Sequence, residues 1–548
     1  MTLDSPAPAG AAKIDSTARP LAQTAYLPEL VLGFVAPTGI RSVDVKAAVT
    51  DRLKAYGYRV QDVHLSRRLE ELSGTAGQRH PKVRVKALQE AGDLMRTFSE
   101  SSDAMAYIAI REIAGARTVK NEPLDKAKDE PIPQLAYVVW SLKHRDEVQL
   151  LRQMYRSRFF LFSVYSPRER RQEAMARLIA DNSGTTRSYK EFMGDAAELI
   201  ERDEREVLDE GDYGQDVRDA YPLADFFIDG SSRHRLGVSI GRALDIVFGD
   251  PFATPTIDEF AMYVAHAAGL RSAELGRQVG ASIATDNGDV VATGTNEVPA
   301  FGGGHYWSNP LEPMSAEDNR EYLRDSDTSD RTKRLLAREI FDALKLAGAI
   351  DSGNNLTDES IYQSLELTGL RELTEFGRAV HGEMSVLMDA ARRGVSVKGL
   401  TLYVTTFPCH QCSRHVVAAG IRRLVYIYPY PKSRTDELHG DVIQTSELAK
   451  LDTRRVHYES FLGVAPRAYP SAFTMYQRKN DRTGQVLPAF DPNRIPRLPD
   501  EGPNGLWDVL AYIDREKKAN ATSGVWLANV EARVAEEMKK RSANYGES

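Results

Sequence analysis

The sequence predicts an α/β protein of two domains. Three observations carry this. Strand-like apolar runs alternate with helical patterns from Leu27 to about Pro167, a second such block runs from about Leu223 to Ser460, and 548 residues exceed what one core ordinarily holds. Apolar residues make up 42% and charged residues 27%, the balance of an ordinary globular chain. No run of 18 apolar residues occurs, so no membrane-spanning helix is expected. Residues 1–26 are rich in Ala, Pro, Ser and Thr and lack the basic-then-apolar pattern of a signal peptide, which predicts a disordered arm and a cytoplasmic protein. A net charge of −7 argues against a broad nucleic-acid-binding surface and leaves room for a local basic pocket that takes phosphate.

In the first block, Leu30 to Val35 is an apolar run that stops at Ala36-Pro-Thr-Gly39. Val43, Ala47, Leu53 and Tyr56 then fall on one helical face, and Tyr58 to Val63 reads as the next strand, which is the start of a βαβ unit. Gln134 to Trp140 and Arg158 to Val164 are two further buried-strand candidates, separated by a polar helix near Arg145 to Tyr155. Strands that alternate with helices imply a parallel sheet. A charged, helical stretch from Ser166 to Asp219 links this domain, residues 27–220, to the second, residues 221–465.

The second block opens with a helix over Phe260 to Leu275. Gly280 to Thr285 and Val290 to Thr293, joined by Asp286-Asn287-Gly288-Asp289, read as a β-hairpin with an Asn-Gly turn. Gly302-Gly-Gly304 begins a polar insertion over residues 302–372. A helix near Val380 to Arg393, a strand at Thr401 to Phe407, a helix near Cys409 to Ala419 and a strand at Arg422 to Tyr428 follow. Residues 466–548 form a proline-rich extension ending in a charged helical pattern near Trp526 to Arg541, and no internal repeat is present.

The chain contains two cysteines, Cys409 and Cys412. Two cysteines three apart build no disulfide framework, and alone they read equally as a chance pair of thiols. Their context decides otherwise. Pro408-Cys-His-Gln-Cys412 sits at a strand-to-helix junction, and His381-Gly-Glu383 opens the preceding helix. H-x-E followed by P-C-x-x-C is the signature of zinc-dependent deaminases. Catalytic zinc takes three protein ligands and keeps a fourth position open, which here assigns His381, Cys409 and Cys412 as ligands. A Cys-x-x-Cys at a helix N-terminus turns both sulfurs to one ion, and the helix dipole favours the thiolates. Glu383, two residues beyond the imidazole, is placed to move protons as a general acid–base. A structural zinc knuckle would need a fourth ligand, for which His410 and His415 are the nearby choices.

On these residues the chain resembles the deoxycytidylate-type deaminases and, more closely, the two-domain bacterial anti-phage dCTP/dCMP deaminases. The resemblance extends over Pro255-Thr-Ile-Asp-Glu-Phe-Ala-Met262, Leu270-Arg-Ser272, Arg277-Gln-Val-Gly280 and Gly294-Thr-Asn-Glu-Val-Pro299. It implies a three-layer α/β/α deaminase domain, a zinc cofactor, a deoxycytidine nucleotide substrate contacted by Asn296, a homo-oligomer, and a role in depleting nucleotides during phage infection. It also implies a possible nucleotide effector and restraint by a cognate small RNA. The same resemblance implies an N-terminal P-loop kinase-like domain. There the phosphate loop departs from its pattern: Gly33-Phe-Val-Ala-Pro-Thr-Gly39-Ile-Arg-Ser42 lacks the Gly-Lys-Ser/Thr ending, and Arg41 is no simple replacement for the lysine. A regulatory rather than phosphotransferring domain is expected. Two rival readings are a polynucleotide deaminase, which calls for a basic strand-binding stripe, and a non-catalytic nucleotide sensor, against which the intact H-x-E and P-C-x-x-C stand.

Overall fold

A computed structural model describes residues 27–545, apart from residues 118–130, 205–215, 312–317, 365–367, 430–432, 447–451 and 499–505 and positions 79, 185, 310, 325, 352, 371, 372, 374 and 476. The arm expected over residues 1–26 lies outside the described residues.

The first half alternates as the sequence predicts. β1 (Leu30–Val35), α1 (Ser42–Ala55) and β2 (Arg59–His64) are followed by α2 (Leu65–Ser73), α3 (Pro81–Ser99) and α4 (Ala104–Gly115). Then come β3 (Leu135–Trp140), α5 (Arg145–Tyr155), β4 (Phe159–Tyr165), α6 (Arg168–Asn182), α7 (Met193–Asp203), the single turn α8 (Val217–Ala220), β5 (Phe226–Asp229) and α9 (Arg233–Val247). The five strands are parallel in the order β2-β3-β1-β4-β5. The alternation along β1 explains the layering, because successive side chains leave a strand on opposite faces. Leu30, Leu32 and Phe34 pack with α1 and α9, while Val31 and Val35 pack with α2 to α5. Both faces are covered, as a parallel sheet requires.

The second half contains α10 (Ile257–Gly269), the hairpin β6 (Gly280–Ala284) and β7 (Val290–Thr295), then α11 (Thr328–Leu346) and α12 (Asp358–Ser364) inside the insertion. After them run α13 (Gly382–Arg392), β8 (Thr401–Thr406), α14 (His410–Ala418), β9 (Arg423–Tyr428), α15 (Thr435–His439), β10 (Ile443–Gln444) and β11 (Val456–Ser460). The second sheet has the order β10-β11-β9-β8-β6-β7, parallel from β10 to β8 and antiparallel across β6 and β7. Leu402 and Val404 of β8 face α13 and α14, and Tyr403 between them faces α10. The domain is therefore three-layered, α/β/α.

Two pairings link the two halves of the chain. The sequence division at residue 220 falls before β5, yet β5 pairs with β4 and completes the first sheet. The two-residue β12 (Gly463–Val464), which follows the second sheet, returns to pair antiparallel with β5. Ala465 N–H donates to Asp225 O at 2.9 Å. Glu259 of α10 accepts from Arg242 of α9 at 2.6 Å and from the Val464 N–H at 2.8 Å, and it is 1% exposed. The two sheets are thus tied through a buried charged contact. The extension contributes α16 (Tyr469–Phe473) and the long α17 (Leu506–Tyr545), whose Leu527, Val530, Val534 and Met538 enter the core of the first domain. Among the described residues no helix is long and apolar enough to cross a membrane.

The loop between β1 and α1 is filled by the chain itself. The Thr38 N–H donates to the Asp203 carboxylate at 2.6 Å, and Lys143 Nζ lies 2.9 Å from the same carboxylate. Arg171 donates to Thr38 O at 3.2 Å. Gly39 adopts φ 97° and passes so close to Arg171 that a Cβ would meet its carbonyl oxygen at 2.5 Å. Of the residues expected in a phosphate loop, Gly33 lies inside β1 and makes room there for the Phe159 ring and Leu142. Ser42 is the first residue of α1, and Arg41 is an exposed residue beside Asp44.

Candidate metal centre and catalytic site

His381 is the N-cap of α13 and Cys409 the N-cap of α14, so two helix N-termini converge on one point. The positive ends of both helices favour anionic ligands there. The Cys409 Sγ accepts from the Cys412 N–H at 3.5 Å, which folds the Cys-x-x-Cys turn so that both sulfurs face inward. His381 Nδ1 lies 3.5 Å from Cys409 Sγ and 3.4 Å from Cys412 Sγ. Tetrahedral zinc with ordinary Zn–N and Zn–S bonds sets such nitrogen–sulfur pairs roughly 3.6 Å apart. Donor set and spacing both fit that ion. The three ligand atoms all lie within 4.8 Å of one another, and among the described residues neither His410 nor His415 joins them. A fourth protein ligand for a closed structural site is not part of this cluster.

Glu383 lies in the first turn of α13 and is 4% exposed. Its carboxyl reaches the Cys412 thiol, and burial pushes it up to about 7 against the opposing pull of His381. The Cys409 thiol is held well down, at about 4, by the hydrogen bond from Cys412 and then by His381. The Cys412 thiol is correspondingly pushed up by its hydrogen bond to Cys409 and by burial. The His381 imidazole is raised to about 9 by its hydrogen bond with Cys409, against its burial.

The β7 strand sets the position of α13. Gly294 has no Cβ, and one placed there would meet Val386 N at 2.3 Å and Gly382 O at 2.7 Å. Beyond β7 the chain runs beside His381: the Glu297 N–H donates to Val380 O at 3.2 Å and the Val380 N–H donates back at 3.0 Å. We therefore expect Gly294→Ala to push α13 off the sheet, at a cost of about 1–3 kcal/mol. The expected result is a lowered melting temperature together with substoichiometric zinc by metal analysis. Full zinc in a variant of unchanged stability would show that the close approach does not set the site.

Asn296 sits next to this path and is 8% exposed. Its Oδ1 accepts from the Val279 N–H at 2.7 Å and its Nδ2 donates to Arg277 O at 2.8 Å. The amide thus holds the 277–279 segment and keeps one N–H and one lone pair for other contacts. Five residues around the site carry no individual signal in the sequence. Glu297 accepts from the Ala273 N–H at 2.8 Å and the Val298 N–H at 2.9 Å, so its buried carboxylate organises two turns. Ser385 Oγ lies 3.0 Å from His305 Nε2, and Arg271 stacks over the Trp307 ring at 4.8 Å. His305 and Trp307 come from the start of the insertion, where Gly302, Gly303 and Gly304 all have positive φ and turn the chain back. The glycine run signals that turn. Nothing in the sequence indicates which residues it delivers.

Residues 255–428 match the model of the family described as "Cytidine and deoxycytidylate deaminase zinc-binding region". This span contains both converging helices and the cluster of His381, Cys409 and Cys412, and zinc is the cofactor of the region. The chain is 32% identical over 84 residues to a deoxycytidylate deaminase of Enterobacteria phage T4, which covers 15% of this chain and 44% of the phage protein. It is 36% identical over 76 residues to ComE operon protein 2 of Bacillus subtilis, covering 14% of this chain and 40% of that protein. The chain therefore spans less than half the length of either relative. A dCMP deaminase from the cyanophage S-TIM5, solved in complex with dCMP and dUMP, aligns over 38% of this chain and 100% of its own at 17% identity, with a TM-score of 0.21.

Proposed function

We propose that the protein is a zinc-dependent hydrolase that deaminates a free deoxycytidine nucleotide, dCMP or dCTP, to the deoxyuridine nucleotide. The observation that carries this is the buried Glu383 beside a His381–Cys409–Cys412 set that it does not itself join. When bound, zinc supplies Lewis acidity that makes water a nucleophile near neutral pH. Glu383 takes the proton as water adds to C4 of cytosine, and it passes that proton to the ring. It then takes the proton of the new C4 hydroxyl and delivers it to the exocyclic amine, so that the C4 carbonyl forms as the C4–N4 bond breaks and ammonia leaves. His381 and the two cysteines hold the metal. Asn296 contributes its remaining N–H and lone pair to the sugar hydroxyl or base edge while it anchors the segment Arg277 to Val279.

The reading extends to biology: conversion of deoxycytidine nucleotides removes a precursor on which phage replication depends. It also gives the first domain the form of a nucleotide kinase without the phosphotransfer. Five parallel strands with a loop after the first support the form. The absent lysine, and the Asp203 carboxylate on the Thr38 N–H, argue against the activity, because a carboxylate there occupies a donor that a phosphate would need. No transfer of labelled phosphate from ATP to any deoxynucleoside monophosphate is expected. Transfer that disappears in Gly39→Ala would overturn this.

Substrate choice is tested with purified zinc-loaded protein, by following the loss of cytosine absorbance on a panel of dCMP, dCTP, cytidine and a single-stranded oligonucleotide. Turnover is expected on a free deoxycytidine nucleotide and poor on cytidine and the oligonucleotide. Asn296→Ala is expected to lose activity and retain zinc. Faster deamination of the oligonucleotide than of any free nucleotide would replace this reading with a polynucleotide deaminase.

A further inference from the structure

Three linked hydroxyl groups run behind the Cys-x-x-Cys turn, and a fourth ends beside them. Ser433 Oγ donates to Pro408 O at 2.7 Å, Thr435 Oγ1 lies 2.7 Å from Ser433 Oγ, and Ser413 Oγ lies 2.9 Å from Thr435 Oγ1. The fourth hydroxyl belongs to Tyr458 of β11. Its ring packs in the same core as Val416 of α14 and meets the Phe407 ring edge-on at 5.7 Å. Pro408 immediately precedes Cys409 and Ser413 immediately follows Cys412, so the linked hydroxyls bracket both sulfurs. Ser433, Thr435 and Tyr458 lie beyond residue 428, where the match to the family ends.

The hydrogen bonds have a fixed direction. A carbonyl oxygen only accepts, so the Ser433 proton goes to Pro408. Thr435 must then donate to Ser433, and Ser413 to Thr435. All three protons are committed, and the Tyr458 proton is the one left over. Tyr458 is 1% exposed and, among the described residues, its hydroxyl has no hydrogen-bond partner. Burial pushes the phenol well above its usual range, Ser413 beside it pulls it down, and Glu383, Cys412 and Cys409 push it up again. The hydroxyl therefore keeps its proton, and the negatively charged groups around it are those of the metal site. A phenylalanine would fill the same space, and a buried hydroxyl without an acceptor is destabilising.

We propose that Tyr458 is a positioning residue of the metal centre: its O–H donates to Cys412 Sγ when that sulfur is a metal-bound thiolate. An ionised sulfur is a better acceptor than a thiol or the Ser413 hydroxyl, so the bond belongs to the metal-bound state. Ser413, fixed by the linked hydroxyls, holds the turn that presents the sulfur. Glu383 is the rival acceptor. Cys412 is favoured because Ser413, the hydroxyl beside Tyr458, adjoins it in the chain. A donor on a ligating sulfur tempers its charge and fixes its direction, and groups that support ligands in this way are worth about 10–100-fold in metal affinity. This inference rests on the metal assignment and not on the identity of the substrate.

The test uses the full chain. Zinc affinity is measured by competition with a chromophoric chelator, and cobalt(II) in place of zinc exposes the thiolate-to-metal charge-transfer band. Tyr458→Phe is expected to keep its native circular dichroism, to weaken zinc binding by about 10–100-fold and to move the cobalt band to longer wavelength, because a sulfur without its donor gives up electron density more readily. Lost packing alone would lower affinity and leave the band in place, so an unmoved band overturns the proposal whatever the affinity. A moved band with unchanged zinc affinity overturns the positioning role. An unmoved band with a shifted pH profile of kcat would transfer the hydroxyl to Glu383 and overturn its assignment to the sulfur. If Tyr458→Phe does not fold, 3-fluorotyrosine incorporated at position 458 replaces it. The stronger donor should move the band to shorter wavelength, and no movement overturns the proposal. Wild-type protein without any thiolate-to-cobalt band would overturn the metal assignment itself and this inference with it, whereas an unmoved band in the variant overturns this inference alone.

Discussion

Glu383→Gln is expected to retain zinc and a native melting profile while turnover on the deoxycytidine nucleotide falls by about 10²–10⁴-fold. The substitution is close to isosteric, and the side chain lies outside the ligand set, so neither packing nor metal binding should change. What it removes is the ability to take a proton and give it back. Burial makes the test sharp. At 4% exposure the carboxyl is shielded from bulk solvent. The measurement is kcat with zinc quantified on the same sample. Near-normal turnover would show that another group moves the proton, and loss of zinc would make Glu383 a ligand.

Cys412→Ser is expected to strip the metal and abolish activity, and His381→Ala to do the same. Each removes one of three protein ligands, and a serine hydroxyl is a poor replacement for a thiolate toward zinc. The Cys412 variant carries a second effect. Cys412 is 2% exposed, so its sulfur is shielded from bulk solvent. The fold should survive. Val386, Leu387 and Ala390 of α13 and Val416 of α14 are packed into the core of the second sheet independently of the ion. Metal analysis together with circular dichroism separates the two consequences. Stoichiometric zinc in either variant would dismiss the ligand assignment, and a loss of helix signal would show that the metal holds the two helices in place.

The positions of most elements were legible because their causes are local. β1, β3 and β4 are short runs rich in Val, Phe, Leu and Tyr, and each appears within about two residues of its expected place. Asn287-Gly288 places the hairpin for the same reason: turn chemistry resides in the turn. The final helix is longer than the expected Trp526–Arg541 pattern and begins at Leu506; Tyr512 and Ile513 of its first half enter the same core of the first domain as Leu527 and Val530. The sequence pattern does not assign β5 to the first sheet. Its four residues are flanked by a charged helical stretch, and what assigns them is pairing with β4 and with a β12 more than 230 residues later.

By itself the sequence determined the alternating α/β character, the hairpin and the three side chains that the fold gathers into a candidate metal cluster. A chemistry that needs one imidazole, two thiolates and a carboxylate at fixed short spacings leaves those spacings in the chain. Only the tertiary structure decided how the pieces face one another. It brought the N-termini of α13 and α14 together across 28 residues, pressed Gly294 against α13 and filled the β1–α1 loop with Asp203. These are contacts between residues far apart in sequence, set by the packing of buried faces on two sheets. Neighbouring residues keep no periodic record of them, so they become visible when the chain is folded.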